Sequence, residues 1–192
     1  MIVPILAYGN PILKKIGLPI TKDYPDLKDI IENMFETMHN ANGLGLAAPQ
    51  IGLSIRLFIV DGVPLYKDGK AEELKDFRKV FINARMINQE GENWSYNEGC
   101  LSIPSIREDI YRQPSITLNY LDENFNEFTE EFKGLQARII QHEYDHIDGV
   151  LFTDRISFIR KRMLKNKLLD VSKGNVDVDY KMNFPLKYTK KY

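Results

Sequence analysis

"QHEYDHIDG", residues 141–149, places two of the chain's three histidines four positions apart, with a glutamate directly after the first. Leu135, Ile139, His142, His146 and Gly149 recur at spacings of four, three, four and three, so they share one face of a helix. The pattern predicts a helix over 133–148 with Gly149 as its stop, its stripe turned toward the core. Two imidazoles one turn apart can grip one ion. Glu143, one position round from His142, can then reach a water on that ion without being a ligand. The competing reading is a pair of core histidines that only hydrogen-bond carbonyls.

A third ligand decides between the two. Glutamate-ligated zinc proteases supply it downstream, but no Glu follows Glu143. In the extended His-x-x-Gly-x-x-His pattern Gly149 fits, but Phe152 stands at the ligand position. His39 ends a helical stretch beside Asn40 and Asn42 and reads as a surface residue. Cys100, in "NEGCLSIPSI", remains. A thiolate is a soft anionic ligand that a metal deprotonates at neutral pH, and a His₂Cys set leaves a fourth position open, as a catalytic site needs. The alternative is an inert, buried thiol.

A chain of 192 residues, 43% hydrophobic and 28% charged, suits one domain with a sizeable core. No apolar run reaches the roughly 18 residues of a membrane span, and the N-terminus lacks a basic flank before its short apolar run. A single cysteine favours a reducing compartment, hence the cytoplasm. Charge is balanced overall but not locally. From Asp154 onward 11 Lys and Arg face 4 Asp, a basic end that reads as a solvated helix face or as a contact for an anionic partner.

"YPDLKDIIENMFETMHNANG" carries Leu27, Ile30, Ile31, Met34, Phe35 and Met38 at helical spacing, between Pro25 and Gly43. "IRLFIVDG" reads as a strand and "LYKDGKAEELKDF" as a loop. "KVFINARMINQ", "ENWSYNE", "SITLNYLD" and "NEFTEEF" read as antiparallel strands, with "DENFN" as a hairpin turn. "DRISFIRKRMLKNKLLD" predicts a late helix with Ile156, Ile159, Met163 and Leu164 as its apolar stripe, and residues 171–192 read as a basic, extended, loosely packed tail. The expected fold is α+β, antiparallel sheets around a central metal-binding helix, with one helix near each terminus.

"GLGLAAPQIG", residues 43–52, has three glycines and two alanines in ten positions, which lets backbone approach a partner closely. Gln50 projects from it, and its amide can donate to a developing oxyanion. A tight turn with small-residue packing would read the same way.

Together the three segments resemble the peptide deformylase family. Its motifs occur here in order as Gly43, Gly45, Ala47, Ala48 and Gln50, then Glu98, Gly99, Cys100, Leu101 and Ser102, then His142, Glu143, His146 and Gly149. The resemblance runs from about Ile5 to near Asp170. It implies removal of the formyl group from the N-formylmethionine that begins new polypeptides, with release of formate. It implies one divalent metal ion, Fe²⁺ in the native family form with Zn²⁺, Ni²⁺ or Co²⁺ able to substitute, held by Cys100, His142 and His146. Water on that ion attacks the formyl carbon, with Glu143 as general base, while Gln50 and the Leu101 backbone N–H meet the oxyanion. Gly43, Leu44, Gly45, Glu98, Gly99, Arg107, Arg138 and Ile139 are the implied substrate-facing residues, and Glu98 also holds a ligand histidine from behind. Two departures stand out. Arg138 lies one turn before His142, where many members have a small or apolar residue, and the loop at 62–78 is longer than in compact members. The expected partners are formylmethionyl nascent peptides and, through the basic C-terminal region, the ribosome, with no membrane or DNA.

Overall fold

The computed structural model describes residues 1–69 and 71–186. In chain order it runs β1 (Ile5–Leu6), α1 (Leu27–Asn40), β2 (Gly45–Ala47), β3 (Leu57–Asp61), α2 (Val63–Lys67), β4 (Arg78–Glu90), β5 (Trp94–Cys100), β6 (Ile103–Arg112), β7 (Ser115–Leu121), β8 (Glu127–Lys133), α3 (Gly134–Ile147), α4 (Phe158–Lys173) and β9 (Met182–Asn183). Five strands form an antiparallel sheet in the order β2-β3-β4-β7-β8, β5 pairs with β6, and β1 pairs in parallel with β9. The fold class is α+β, as expected.

Strand β3 reads "LFIVD" without polar alternation because the sheet is covered on both faces. Leu57 and Ile59 belong to a core shared with Ile31, Met34, Phe35 and Met38 of α1. Phe58 and Val60 belong to another, shared with Ala137, Ile140 and Ile147 of α3. A third core joins Ile103, Ile106 and Ile110 of β6 to Leu164, Leu168 and Val171 of α4. Helix α3 is thus wedged between the five-stranded sheet and the β5–β6 hairpin, and it is buried on most sides. Its Ala137, Ile140 and Ile147 supply the main apolar contact, whereas Ile139 and His142 of the anticipated core stripe line a cleft.

Several expectations need correction. In α4, Ile159 and Met163 are exposed, at 73% and 67%, while Leu164, Leu168 and Val171 are buried. The helix starts at Phe158 behind a Ser157 cap, which leaves Ile156 outside it, and the face turned to the third core carries Leu164, Leu168 and Val171. The 62–78 segment is more than a loop: it contains α2 and a single turn at Glu72–Leu74, and it buries Leu74 and Phe77. "IPSIREDIYR" forms β6, which its alternating burial makes plain in retrospect. Helix α4 continues to Lys173, and the chain beyond it is anchored: Ile5 N–H donates to the Lys181 carbonyl (2.9 Å) and Ala7 N–H to that of Asn183 (2.9 Å). The end of the basic tail, 187–192, and residue 70 of the long loop lie outside the described residues.

Candidate metal centre

Helix α3 ends where Gly149 takes φ +71°, and a Cβ there would sit 2.7 Å from the Lys14 carbonyl oxygen. The fourth residue of His-x-x-Gly is therefore fixed by close backbone approach as well as by conformation. On this helix the two imidazoles stand one turn apart, ring centroids 5.2 Å from each other. Across from them the β5–β6 hairpin turns at Leu101–Ser102, and its register shift beside Gly99 and Cys100 presents the thiol. Cys100 Sγ lies 3.3 Å from His146 Nε2. One donor atom each from Cys100, His142 and His146 fall within 4.8 Å of one another, the only such His/Cys/Asp/Glu group among the described residues. His39 is elsewhere, paired with Asp61 at 2.9 Å.

Behind the donors lies a buried ion network. Glu98 accepts two bonds from Arg112 (2.7 and 2.9 Å), one from Arg138 (2.9 Å) and one from His142 Nδ1 (2.9 Å). Arg112 also donates to Asp145 (2.7 Å), which Arg155 clamps from the outer side. Burial alone would raise the Glu98 carboxyl, but hydrogen bonds from His142 and Arg112, and their charges, hold it well below the usual carboxylate range. Its second oxygen therefore fixes the outer nitrogen of His142 and turns Nε2 toward Cys100. Arg138, the unusual residue one turn earlier, is 2% exposed. It bonds Glu98, the Ile110 carbonyl (3.0 Å) and the Trp94 carbonyl (2.7 Å), with its guanidinium 4.5 Å from the Trp94 ring centroid.

Gln50 occupies a single turn, Ala48–Ile51, after β2. It is 2% exposed, so it projects inward. Its carbonyl oxygen accepts from the Ala47 N–H (2.8 Å), which aims the amide nitrogen at Ser102 Oγ (3.2 Å) and Cys100 Sγ (3.6 Å). Glu143 lies beside it, packed on Gly45: a Cβ at Gly45 would sit 2.6 Å from Glu143 Cγ and collide with its Oε1. Glu143 Oε2 is buried with no hydrogen-bond partner. Burial, reinforced by the Glu98 and Asp145 carboxylates, pushes Glu143 up to about 7 against opposition from His142 and Arg112. Burial disfavours a charged His142, yet hydrogen bonds to Cys100 and Glu98 raise it well above the ordinary range, whereas burial and the neighbouring His142 charge lower His146 well below it.

A cleft of about 560 Å³ opens above these groups. Every residue expected to face substrate lines it: Gly43, Leu44, Gly45, Glu98, Gly99, Arg107, Arg138 and Ile139, together with Gln50, Cys100, Leu101, His142 and Glu143. His146 sits behind this wall. Glu98 and Arg138 touch the cleft only at their edges, being 5% and 2% exposed and committed to the network. Sequence reasoning missed Tyr96, Arg112, Asp145 and the segment Asp177–Tyr180. The signal for Arg112 was present: in "IPSIREDIYR" the inward positions run Pro104, Ile106, Glu108, Ile110, Arg112, and a charge on an apolar face calls for a buried partner. Nothing in the polar tail marked residues 177–180.

The sequence model of the polypeptide deformylase family matches residues 2–162. A peptide deformylase of Christiangramia forsetii is 55% identical over 190 residues, covering 96% of this chain and 97% of the relative, and one of Flavobacterium psychrophilum is 57% identical over 187 residues, covering 95% and 96%. The crystal structure of a peptide deformylase from Legionella pneumophila superposes with a TM-score of 0.78 at 34% identity, covering 91% of this chain and 98% of that one. Those matches extend over the motif segments that build the cleft, and on them the chain belongs to the polypeptide deformylase family of hydrolases.

Proposed function

We propose that the chain, acting as one unit, hydrolyses the formyl amide at the N-terminus of formylmethionyl peptides. The observation that carries this reading is the cleft floor: three soft and borderline donors within 4.8 Å, with a buried, unpartnered carboxylate oxygen next to them. The donor set suits a divalent ion with an open position, and Glu98 already holds the outer nitrogen of His142 as ligand histidines require. Cys100, His142 and His146 would hold the ion, which we infer to be Fe²⁺ in the cell, with Zn²⁺, Ni²⁺ or Co²⁺ as substitutes. When bound, it polarises the formyl carbonyl and lowers the pKa of water at the site.

The chain's own residues do the rest. Glu143 takes a proton from the attacking water at its free Oε2 and returns it to the amine nitrogen as the C–N bond breaks, so that formate and a free amino terminus leave. The Gln50 amide nitrogen, aimed by its bond from Ala47, and the Leu101 N–H supply donors to the oxyanion. Gly43, Leu44 and Ile139 form the apolar side of the methionine site, and the backbone at Gly45 and Gly99 pairs with an extended substrate. Arg138 closes that site with its stem while its guanidinium supports Glu98.

Two further parts of the reading concern place. Among the described residues no helix is long and apolar enough to cross a membrane, and an unpaired cysteine ligand suits a reducing cytoplasm. The exposed cations Arg162 and Lys165 of α4 offer a ribosome contact. Because α4 buries Leu164, Leu168 and Val171, the contact is tested by Arg162→Glu with Lys165→Glu; unchanged co-sedimentation with ribosomes argues against it.

The test of function is formate release from formyl-Met-Ala-Ser by anaerobically purified protein, beside Glu143→Ala. Wild type should turn over, and the variant should keep its metal and lose turnover. No formate from metal-loaded wild type overturns the reading.

A further inference from the structure

One wall of the cleft belongs to none of the three motifs. Asp177, Val178, Asp179 and Tyr180 line it, and they are held there from both sides. Just beyond them β9 pairs with β1. Tyr180 itself turns inward against the core of α1 and the five-stranded sheet, and its hydroxyl donates to the Leu101 carbonyl at 2.8 Å. Burial alternates along the segment, so Tyr180 points in as a latch while Asp177 and Asp179 stay exposed. Neither aspartate forms an ion pair with a described residue. The cation of the cleft rim, Arg107, is already occupied: its Nε donates to Asn97 Oδ1 at 2.9 Å, and a second guanidinium nitrogen bonds the Asn97 carbonyl. The wall therefore presents two exposed carboxylates that no described cation pairs, while Arg107 keeps its charge elsewhere on the cleft lining. An extended substrate advances about 3.3 Å per residue, and this wall belongs to the same cleft as Gly43, Leu44 and Ile139 of the proposed methionine site.

We propose that the latched segment Asp177–Tyr180 reads the residues that follow formylmethionine and favours cationic side chains there. The inference rests on the deformylase reading above. Each exposed ion pair formed is worth up to about fivefold in kcat/KM, and both together give a preference of the order of tenfold. Salt should erase it, since pairs at the rim are screened.

The experiment compares kcat/KM for formyl-Met-Lys-Lys and formyl-Met-Glu-Glu on the metal-loaded full chain at low and high salt. Wild type should prefer the lysine peptide at low salt, and Asp177→Asn with Asp179→Asn, two surface changes, should lower the ratio by about threefold or more. Tyr180→Phe keeps both carboxylates but frees the latch, and should also lower the ratio. A ratio near one in wild type, or one that neither variant moves, overturns the proposal. Turnover of formyl-Met-Ala-Ser by wild type reports separately on the deformylase reading, so the two failures are distinguishable.

Discussion

Glu143 is 4% exposed, has one carboxylate oxygen without a partner, and is pushed up to about 7 from an ordinary value of 4.5. Replacing it with glutamine should abolish most turnover and at the same time stabilise the metal-free protein at neutral pH. The sign follows from proton counts. Below pH 4.5 the carboxyl is protonated whether the chain is folded or not, so wild type and variant respond alike to pH. Between 4.5 and 7 the unfolded chain releases a proton that the folded chain keeps, and wild type loses stability relative to a side chain that cannot titrate. Above 7 the difference is complete. The gap between 4.5 and about 7 corresponds to about 3 kcal/mol. For a chain of this length that is about 6–12 °C in Tm. Urea unfolding of the chelator-treated proteins at pH 5 and pH 8 measures it. Glu143→Gln should exceed wild type by about 3 kcal/mol at pH 8 and by less than about 1 kcal/mol at pH 5. A difference independent of pH, or a more stable wild type at pH 8, would refute the claim that the carboxylate is held in an unfavourable setting for its chemistry.

Arg112→Met leaves Glu98 and Asp145 buried without their shared cation and should destabilise by about 3–5 kcal/mol in urea; a loss below 1 kcal/mol contradicts the network. Gly45→Ala forces Glu143 aside and should reduce kcat about a hundredfold with metal content unchanged, since the three atoms nearest a Cβ there all belong to Glu143; full activity would show that the carboxylate position is not critical. Cys100→Ala should fail to retain metal on dialysis, and chelation of wild type should both stop turnover and lower Tm. Ile159→Lys with Met163→Lys should change stability by no more than about 0.5 kcal/mol, whereas Leu168→Ala should cost about 2–5 kcal/mol, a contrast that thermal unfolding resolves.

The clustering of His142, Glu143 and His146 was legible because its spacing is local. His142, Glu143 and His146 sit within one turn and a bit of helix, and only the placement of Cys100 required long-range information, which the hairpin supplies through the pairing of β5 with β6. The Gln50 segment was legible as close-packed backbone but not in direction, since the bond from Ala47 that aims the amide is a tertiary detail. Helix α4 misled because Ile159 and Met163 look like one core stripe with Ile156 and Leu164, yet an amphipathic pattern shows only that a face is apolar, and the third core takes Leu168 and Val171 beside Leu164. The tail misled for a different reason. Parallel pairing of two-residue strands leaves almost no periodic signal, so nothing announced that Tyr180 would return to Leu101.

The order of synthesis gives that returning segment a further significance. The three proposed metal ligands are complete in the chain once His146 has been translated, and Tyr180 follows 34 residues later, a delay of about 2–7 s at ordinary elongation rates. The partner of β9, β1, is made long before it and must wait throughout. Until β9 pairs with β1 the cleft lacks this wall, and the proposed metal centre lies in a trough open on one side.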